Sequence, residues 1–321
     1  SEMCIRDRSS ADMYIRFKTF ENGHAAAGVS SETLELIRFA VTYTLLAALM
    51  AGIVATAVTV MIEKYGGVIG GILGTIPTTI IPASIGMASE GGDDALIISL
   101  AIVPAGMLIN AIFLSVWALL PDKLPKTWSQ DTSLIFTSLS SLMIWAGVGL
   151  LTIYIIDIAI ENNLSPIHIS VIGFVLVVTL GSLMCWNLKP APKGENKVSK
   201  MILTARGIVA ATAIGIAVLI SSLGMPLLAG LASVFPAIFL TSMIALWLAQ
   251  GPSVPLGAAG PMMMGGASVA MYSIIAMWSL IEYGLFVGSV IAWIGSITLW
   301  SVPSFVFVNW RAKVTMSHEN D

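Results

Sequence analysis

The stretch "GGVIGGILGTIPTTIIPASIG", residues 66–86, carries no charged side chain and is nearly long enough to cross a bilayer as one helix. Two prolines, Pro77 and Pro82, interrupt it, and a pair of threonines lies between them. Proline lacks a backbone N–H and its ring clashes with the carbonyl group four residues earlier, so a helix that only anchors a protein in lipid has no need of it. The stretch therefore predicts a membrane span that is interrupted.

The composition of the whole chain is that of a membrane protein. Of its 321 residues, 57% are hydrophobic and only 10% are charged. Apolar stretches of about 20 residues or more recur along it, and they are continuous rather than alternating with period two, which indicates helices and not barrel strands. We therefore predict an all-α, polytopic integral membrane helix bundle whose main partner is the lipid bilayer.

Nine transmembrane spans are predicted, and a tenth is left open. They are residues 36–62, 66–88, 94–120, 133–160, 165–187, 202–223, 225–249, 258–281 and 284–310, with ends uncertain by a few residues. The chain divides accordingly into a polar tail (1–33), a first membrane repeat of five spans (34–187), a basic linker (188–201), a second repeat of four spans (202–310) and a polar tail (311–321). The opening "SEMCIRDRSS" looks like translated adaptor sequence, so we expect the native start at Met13.

Lysine and arginine predict the orientation of these spans. Ten of them fall on the side of the predicted C-terminal tail and five on the side of the N-terminal tail. Because positive charge is retained in the cytoplasm, we expect the N-terminus outside and the C-terminus inside. Tryptophans near span ends fit an interfacial belt. They are Trp117, Trp186, Trp247, Trp278 and Trp310.

Prolines in similar places suggest an internal repeat. Pro77 and Pro236 lie near the middle of the second span of each half, and a tryptophan follows them after 40 residues (Trp117) and 42 residues (Trp278). Five spans separate corresponding elements, and an odd number turns the second unit upside down. Inverted repeats with interrupted helices at matching positions are typical of secondary transporters, in which the interruptions form the binding site.

The second half carries "LASVFPAIFLTSMIALWLAQG" (231–251) and "GGASVAMYSIIAMWSLIEYGLFVGSVIAWIGSITLW" (265–300). With its phenylalanine-proline, methionine-tryptophan and late tryptophan and glycine, this region resembles the GlpM-like family of small four-span bacterial membrane proteins over residues 203–310. The resemblance implies a modular, duplicated unit of four to five spans. Together with the adaptor-like start, it favours a bacterial inner membrane.

Polar side chains within the spans are the candidate binding residues for an unknown small solute. They are Thr75, Thr78, Thr79, Ser84, Asn110, Thr241, Ser242 and Tyr272, and the candidate helix breaks are Pro77, Pro82, Pro104 and Pro236. In a helix that stays continuous, these prolines free the carbonyl groups of Leu73, Thr78, Leu100 and Ala232 respectively. The alternative is that the threonines bond their own backbone and that Asn110 joins helices to each other.

Other chemistry has little support in the sequence. There is no Walker loop, no H-E-x-x-H and no Ser-His-Asp set, so an enzyme is not expected, and neither is a cofactor or a metal. A net charge of −3 without a large basic cluster argues against a nucleic-acid partner. Asp157, Glu161, His168 and Glu282 lie near span ends, where an interfacial position accounts for each, although proton coupling through Asp157 is left open.

Transport is the function these features favour. We predict a secondary transporter or permease of a small neutral or weakly charged solute that uses the proline-interrupted helices. The alternative is a non-transporting membrane module: an assembly factor, a partner subunit or a lipid-interacting scaffold. A homo-oligomer is compatible with either.

Overall fold

A computed structural model describes residues 42, 44–53, 56, 76–186, 200–250 and 254–319 of the chain. All regular elements in these ranges are helical, as the sequence predicts. The helices are α1 (Thr44–Ile53), α2 (80–91), α3 (Gly92–Leu119), α4 (Gln130–Glu161), α5 (Pro166–Met184), α6 (Lys200–Ser222), α7 (Pro226–Ser233), α8 (Ala237–Gln250), α9 (254–283), α10 (285–296) and α11 (Val302–Glu319). A 3₁₀ turn, Pro121–Lys123, follows α3, and a π-helical turn, Ile297–Ser301, joins α10 to α11.

Five helical stretches in the described residues are long and apolar enough to cross a membrane. They are Gly92–Leu119, Gln130–Glu161, Pro166–Met184, Pro226–Ile244 and Ala258–Thr315. The last has 58 residues. A straight helix of that length would measure roughly 87 Å, almost three times the hydrocarbon thickness of about 30 Å, so it cannot cross only once.

The 58-residue stretch reverses at Gly284. This glycine has φ 76° and ψ 168°, a backbone conformation that residues with a Cβ rarely adopt. The Ser279 hydroxyl donates to the Gly288 carbonyl at 2.9 Å, although residues nine apart on a straight helix are separated by roughly 13.5 Å. The helices α9 and α10 are therefore antiparallel and closely packed, as expected from the predicted break at "IEYG".

Other interruptions also coincide with polar breaks in the sequence. The boundary between α2 and α3 lies at Gly92, within "SEGGDD", and its φ of 73° and ψ of 179° resemble those of Gly284. The helix α6 ends at Ser222 and α7 begins at Pro226, within the predicted break "SLGMP". Proline suits a first helical position because the N–H it lacks has no partner there.

The helix α3 forms the centre of the bundle. Of its most apolar 18-residue stretch, 78% is buried. The segment Ile80–Leu119, which comprises α2 and α3, contacts α4, α5, α6, α7 and the α9–α10 hairpin. Two glycines of neighbouring helices permit close approach to it. A Cβ at Gly173 would lie 2.7 Å from the Ala105 nitrogen, and a Cβ at Gly230 would overlap the Ser99 carbonyl oxygen. Backbone-to-backbone packing at small residues is characteristic of membrane helices.

The outer helices instead present apolar side chains to their surroundings. In α4 only 17% of the most apolar 18-residue stretch is buried, and the exposed side chains of this helix include Leu139, Met143 and Leu150. In water such a surface would be unfavourable, whereas lipid accommodates it. Together with the long apolar helices, this surface indicates a membrane protein.

Residues Thr42–Asp321 form one compact unit, which contains the second predicted repeat and nearly all of the first. The two predicted halves therefore pack together rather than as separate domains. Most of the predicted span 36–62 and the first part of the predicted span 66–88 lie outside the described residues.

Candidate functional site

The helix that contains Pro236 is interrupted at that residue. The helix α7 ends at Ser233, residues 234–236 are non-helical, and α8 begins at Ala237. The Ala237 N–H donates to the Phe235 carbonyl at 2.7 Å, which closes a three-residue turn centred on the proline. We call residues 234–237 the Pro236 turn.

The same local arrangement surrounds Pro77. Residues 76–79 are non-helical, and the Thr78 N–H donates to the Ile76 carbonyl at 2.9 Å across the proline. The helix α2 begins directly afterwards, at Ile80. We call residues 76–79 the Pro77 turn. Both prolines singled out by their similar places in the two halves thus lie in turns of the same kind.

Asn110 joins three elements at the Pro236 turn. Its side-chain Nδ2 donates to the Val234 carbonyl at 2.9 Å, and its Oδ1 accepts from Trp145 Nε1 at 2.7 Å. Asn110 is only 2% exposed, and the Trp145 ring contacts the Phe235 ring edge to face, 5.4 Å between centroids. We call Asn110, Trp145 and Val234 the Asn110 bridge. It satisfies a backbone carbonyl that would otherwise be costly in an apolar interior.

The carbonyl that needs a side-chain partner differs from the one expected. A continuous helix would leave the Ala232 carbonyl free, but the chain unwinds and Phe235 N–H donates to it at 3.1 Å. The Val234 carbonyl receives the Asn110 amide instead. Unwinding moves the unsatisfied acceptor two residues along the chain because the last turn of α7 tightens into shorter-range bonds.

Ser84 and Tyr272, two of the predicted site residues, are in direct contact. Their hydroxyl oxygens lie 2.9 Å apart, both side chains are fully buried, and either group is able to donate. The Tyr272 hydroxyl also bonds to the side chain of Ser289. In addition, the Ser84 hydroxyl lies 2.9 Å from the Ile81 carbonyl and the Ser289 hydroxyl lies 2.6 Å from the Leu285 carbonyl, so three hydroxyl protons are shared among four contacts. This Tyr272 cluster joins α2, α9 and α10.

The threonines at the Pro77 turn differ from these paired groups. Thr78 and Thr79 are both half-buried, and within the described part of the chain neither hydroxyl has a hydrogen-bond partner. Thr79 occupies the N-cap position of α2, yet its side chain makes no capping bond. Thr75, predicted on the same helical face, lies outside the described residues. Two hydroxyls beside the start of α2 thus have no hydrogen-bond partner among the described residues.

The predicted polar residues of α8 are half-buried. The Thr241 hydroxyl lies 2.8 Å from the Ala237 carbonyl and 3.2 Å from the Ile238 carbonyl, so it bonds its own helix. Ser242, the next residue, also has an interaction partner. The alternative foreseen from the sequence, a threonine that bonds its own backbone, therefore applies to Thr241.

Two of the four predicted breaks do not interrupt a helix. Pro82 is the third residue of α2, in the first turn, where the N–H that it lacks would have no helical partner anyway. Pro104 lies inside α3, which continues through it without a non-helical residue. Near it, the Ser170 hydroxyl of α5 lies 3.2 Å from the Ala101 carbonyl.

Some residues of these sites were not predicted from the sequence. Trp145, Ser289 and the Val234 carbonyl all participate, and only Trp145 gave a usable signal. It stands in the middle of a span, far from either interface, where an indole N–H needs a polar partner. A tryptophan and an asparagine in the middle of neighbouring spans are plausible mutual partners, but no spacing rule connects them.

Three of the five tryptophans predicted to form an interfacial belt are exposed, and two are buried. Trp186, Trp278 and Trp310 are more than half exposed, as belt residues should be, whereas Trp117 and Trp247 are buried. Those two rings contact each other edge to face at 6.1 Å between centroids. They therefore belong to the protein core.

Apart from one arginine, the described polar interior consists of neutral groups: hydroxyls, the Asn110 carboxamide, indole N–H groups and backbone carbonyls. Asp157, Glu161, His168 and Glu282 are all exposed. Among the described residues, Arg311 is the one buried charged side chain. It lies near the C-terminal end of α5, where it donates to the Trp186 carbonyl. Such an interior suits hydrogen bonding to an uncharged ligand.

Comparison with known proteins adds no relative to this description. No family model, no curated protein and no solved structure matches the chain. The resemblance of the second half to the GlpM-like family stays a prediction.

Proposed function

We propose that the chain is a secondary transporter or permease of a small neutral or weakly charged solute. One observation carries the proposal: the turns at Pro77 and Pro236 are closed by the same bond across the proline, at 2.9 Å and 2.7 Å. Non-helical backbone at membrane depth is tolerated where it is enclosed by protein or lines a cavity, and paired broken helices commonly form transporter binding sites.

In this proposal the nine predicted spans form two inverted repeats, with the broken second and seventh spans at corresponding positions. Movement of one repeat against the other exposes the site first to one side of the membrane and then to the other. The hydroxyls of Thr78 and Thr79 are the first ligands, since neither is engaged by another described residue. Their neutrality favours an uncharged or weakly charged solute.

The orientation belongs to the same proposal. The N-terminus lies outside and the C-terminus in the cytoplasm, in a bacterial inner membrane. Single cysteines at Asn163, between α4 and α5, and at Met225, between α6 and α7, test this in a background in which Cys4 and Cys185 are replaced. The predicted topology places Asn163 outside and Met225 outside as well, so an impermeant maleimide should label both in intact cells. Labelling of either only after lysis contradicts the proposed orientation.

Transport itself is tested with purified protein in liposomes. We expect at least one member of a broad panel of radiolabelled neutral solutes to enter faster than into protein-free liposomes. The double variant Thr78→Val, Thr79→Val should lose most of that flux. Thr179→Val is the matched control, because the Thr179 hydroxyl is exposed and donates to the Val175 carbonyl of its own helix. Equal flux in both variants would place the site elsewhere.

A non-transporting membrane module is the second candidate, and the Asn110 bridge favours it. The asparagine in the middle of the central helix uses both ends of its carboxamide to hold other elements, which is also what a scaffold requires. In that case no solute of the panel should cross or raise the melting temperature. Cells that carry the double variant Thr78→Val, Thr79→Val should then behave like cells that carry the control Thr179→Val.

A further inference from the structure

An apolar cavity of about 480 Å³ lies beside the Pro236 turn. Side chains of α4, α6, α7 and the Pro236 turn surround it, including Trp145, Leu150, Ile208, Leu231 and Phe235. We call it the lateral cavity. Its volume falls in the range of ligand-binding pockets, roughly 300–1,000 Å³. The space exists because alanines at 146, 213 and 232 occupy positions where larger side chains would fill it.

The walls of the lateral cavity offer no unengaged polar group. Two polar side chains lie among its lining residues, and both are already bonded. The Thr212 hydroxyl donates to the Ile208 carbonyl at 2.9 Å, and Trp145 Nε1 donates to Asn110 at 2.7 Å. A buried water requires two to four polar partners, so this cavity does not suit water, ions or sugars.

The cavity opens toward the side of the bundle. Leu150, Ile208 and Ile216 line it and are also 65%, 61% and 47% exposed, so the cavity is continuous with the outer apolar surface. Trp145 lies at the middle of α4 (Gln130–Glu161), which places the cavity near the middle of the bilayer. At that depth, the molecules that surround a membrane protein are lipid acyl chains.

We propose that an acyl chain of a membrane phospholipid occupies the lateral cavity. The chain lies along the apolar walls of α4 and α6, with its inner end against the aromatic pair Trp145 and Phe235. Since these two residues also form or flank the Asn110 bridge, the bound chain supports the Pro236 turn from the outside. This proposal does not depend on whether the protein transports a solute.

Photocrosslinking tests the proposal directly. The full chain is placed in liposomes of phosphatidylcholine that carries a diazirine at the middle of one acyl chain, irradiated, and digested for mass spectrometry. We expect label on Leu150, Ile208 and Ile216 at least five times more often than on Val175. Val175 is the control position because it is 54% exposed on the outer face of α5, away from the cavity.

A variant that fills the cavity provides the second arm. Ala213→Phe should reduce labelling of Leu150 at least fivefold and leave labelling of Val175 unchanged, whereas Val175→Phe should not affect Leu150. Ala146→Phe serves the same purpose at an exposed position if the first variant fails to fold.

Three results would overturn the proposal. Lining and control positions would be labelled equally, or filling the cavity would change nothing. Alternatively, the lining residues would stay unlabelled and native mass spectrometry would find a second copy of the chain bound, which would identify the cavity as an interface between copies.

Discussion

The two proline turns share a local geometry but differ in their surroundings. At the Pro236 turn, the Val234 carbonyl accepts from Asn110, and the Phe235 ring rests on Trp145. At the Pro77 turn, the hydroxyls of Thr78 and Thr79 have no partner in the described part of the chain. Side chains of other helices therefore hold the Pro236 turn, while the Pro77 turn carries two hydroxyls without a partner among the described residues.

This difference suggests that the Pro236 turn contributes to stability and the Pro77 turn to binding. Buried hydrogen bonds that are satisfied within the protein make a position rigid, whereas a ligand needs groups that the protein has not engaged. We therefore expect substitutions around the Pro236 turn to lower stability, and substitutions at the Pro77 turn to lower solute binding with little effect on stability.

The largest effect is expected from Gly230→Ala, in the helix that precedes the Pro236 turn. The new Cβ would overlap the Ser99 carbonyl oxygen, a backbone atom that cannot rotate away. The expected loss is about 4 kcal/mol, above the usual cost of overpacking. A thermal-denaturation assay in detergent measures it. Gly147→Ala is the control, because a Cβ there meets no atom within 4 Å, and its melting temperature should stay unchanged.

Removal of the Asn110 bridge should have the next largest effect. Asn110→Leu leaves the Val234 carbonyl and the Trp145 indole N–H without their partner, at an expected cost of about 2–3 kcal/mol. Equilibrium unfolding in a denaturing detergent is the measurement. Asn309→Leu removes an amide that bonds only the Phe305 carbonyl of its own helix, and should cost far less. Equal losses would show that the bridge does not stabilise the turn.

A smaller effect is expected at the Tyr272 cluster. Tyr272→Phe removes the hydroxyl between Ser84 and Ser289, but both serines retain bonds to their own helices at 2.9 Å and 2.6 Å. The expected loss is therefore only about 1 kcal/mol. Tyr154→Phe, at an exposed position, should be neutral in the same unfolding assay. A loss at Tyr272 as large as that at Asn110 would contradict this ranking.

The smallest effect on stability is expected for Thr78→Val. No bond is lost within the described residues and the shape is conserved, so the change should stay below about 0.5 kcal/mol. Binding of a transported solute, followed as the rise in melting temperature on its addition, should nevertheless weaken. A strongly destabilised variant would mean that Thr78 is engaged by the protein after all, and the contrast between the turns would disappear.

Much of the architecture was predictable because a membrane-spanning helix requires a long apolar stretch, which is visible in the amino-acid sequence. Continuous apolar stretches and polar breaks such as "IEYG" and "SLGMP" located α3 to α6, the start of α7 and the reversal at Gly284 to within a few residues. The effects of the prolines on the helices were predicted less accurately. Pro236 interrupts a helix and Pro77 lies in a turn before α2, whereas Pro82 and Pro104 lie within helices, because a proline in a first turn costs no bond and a single one inside a packed helix is tolerated.

The candidate site was harder to predict for a related reason. The sequence identified Ser84, Asn110 and Tyr272 as polar groups that need partners, but which partners they find depends on how helices far apart in the chain pack together. The Ser84–Tyr272 pair and the Asn110–Val234 bond join residues more than a hundred positions apart. No local spacing encodes such contacts.

The sequence by itself determined that the chain is a helical membrane protein, where most of its helices begin and end, and that two of the predicted spans contain a proline near the middle. Those properties follow from apolar length and from backbone chemistry, which act within a single segment. Only the tertiary structure decided that Asn110 and Trp145 support the Pro236 turn, while at the Pro77 turn Thr78 and Thr79 have no hydrogen-bond partner among the described residues. A hydrogen bond in an apolar interior is satisfied by whichever group the packing brings near, and packing is a property of the whole bundle.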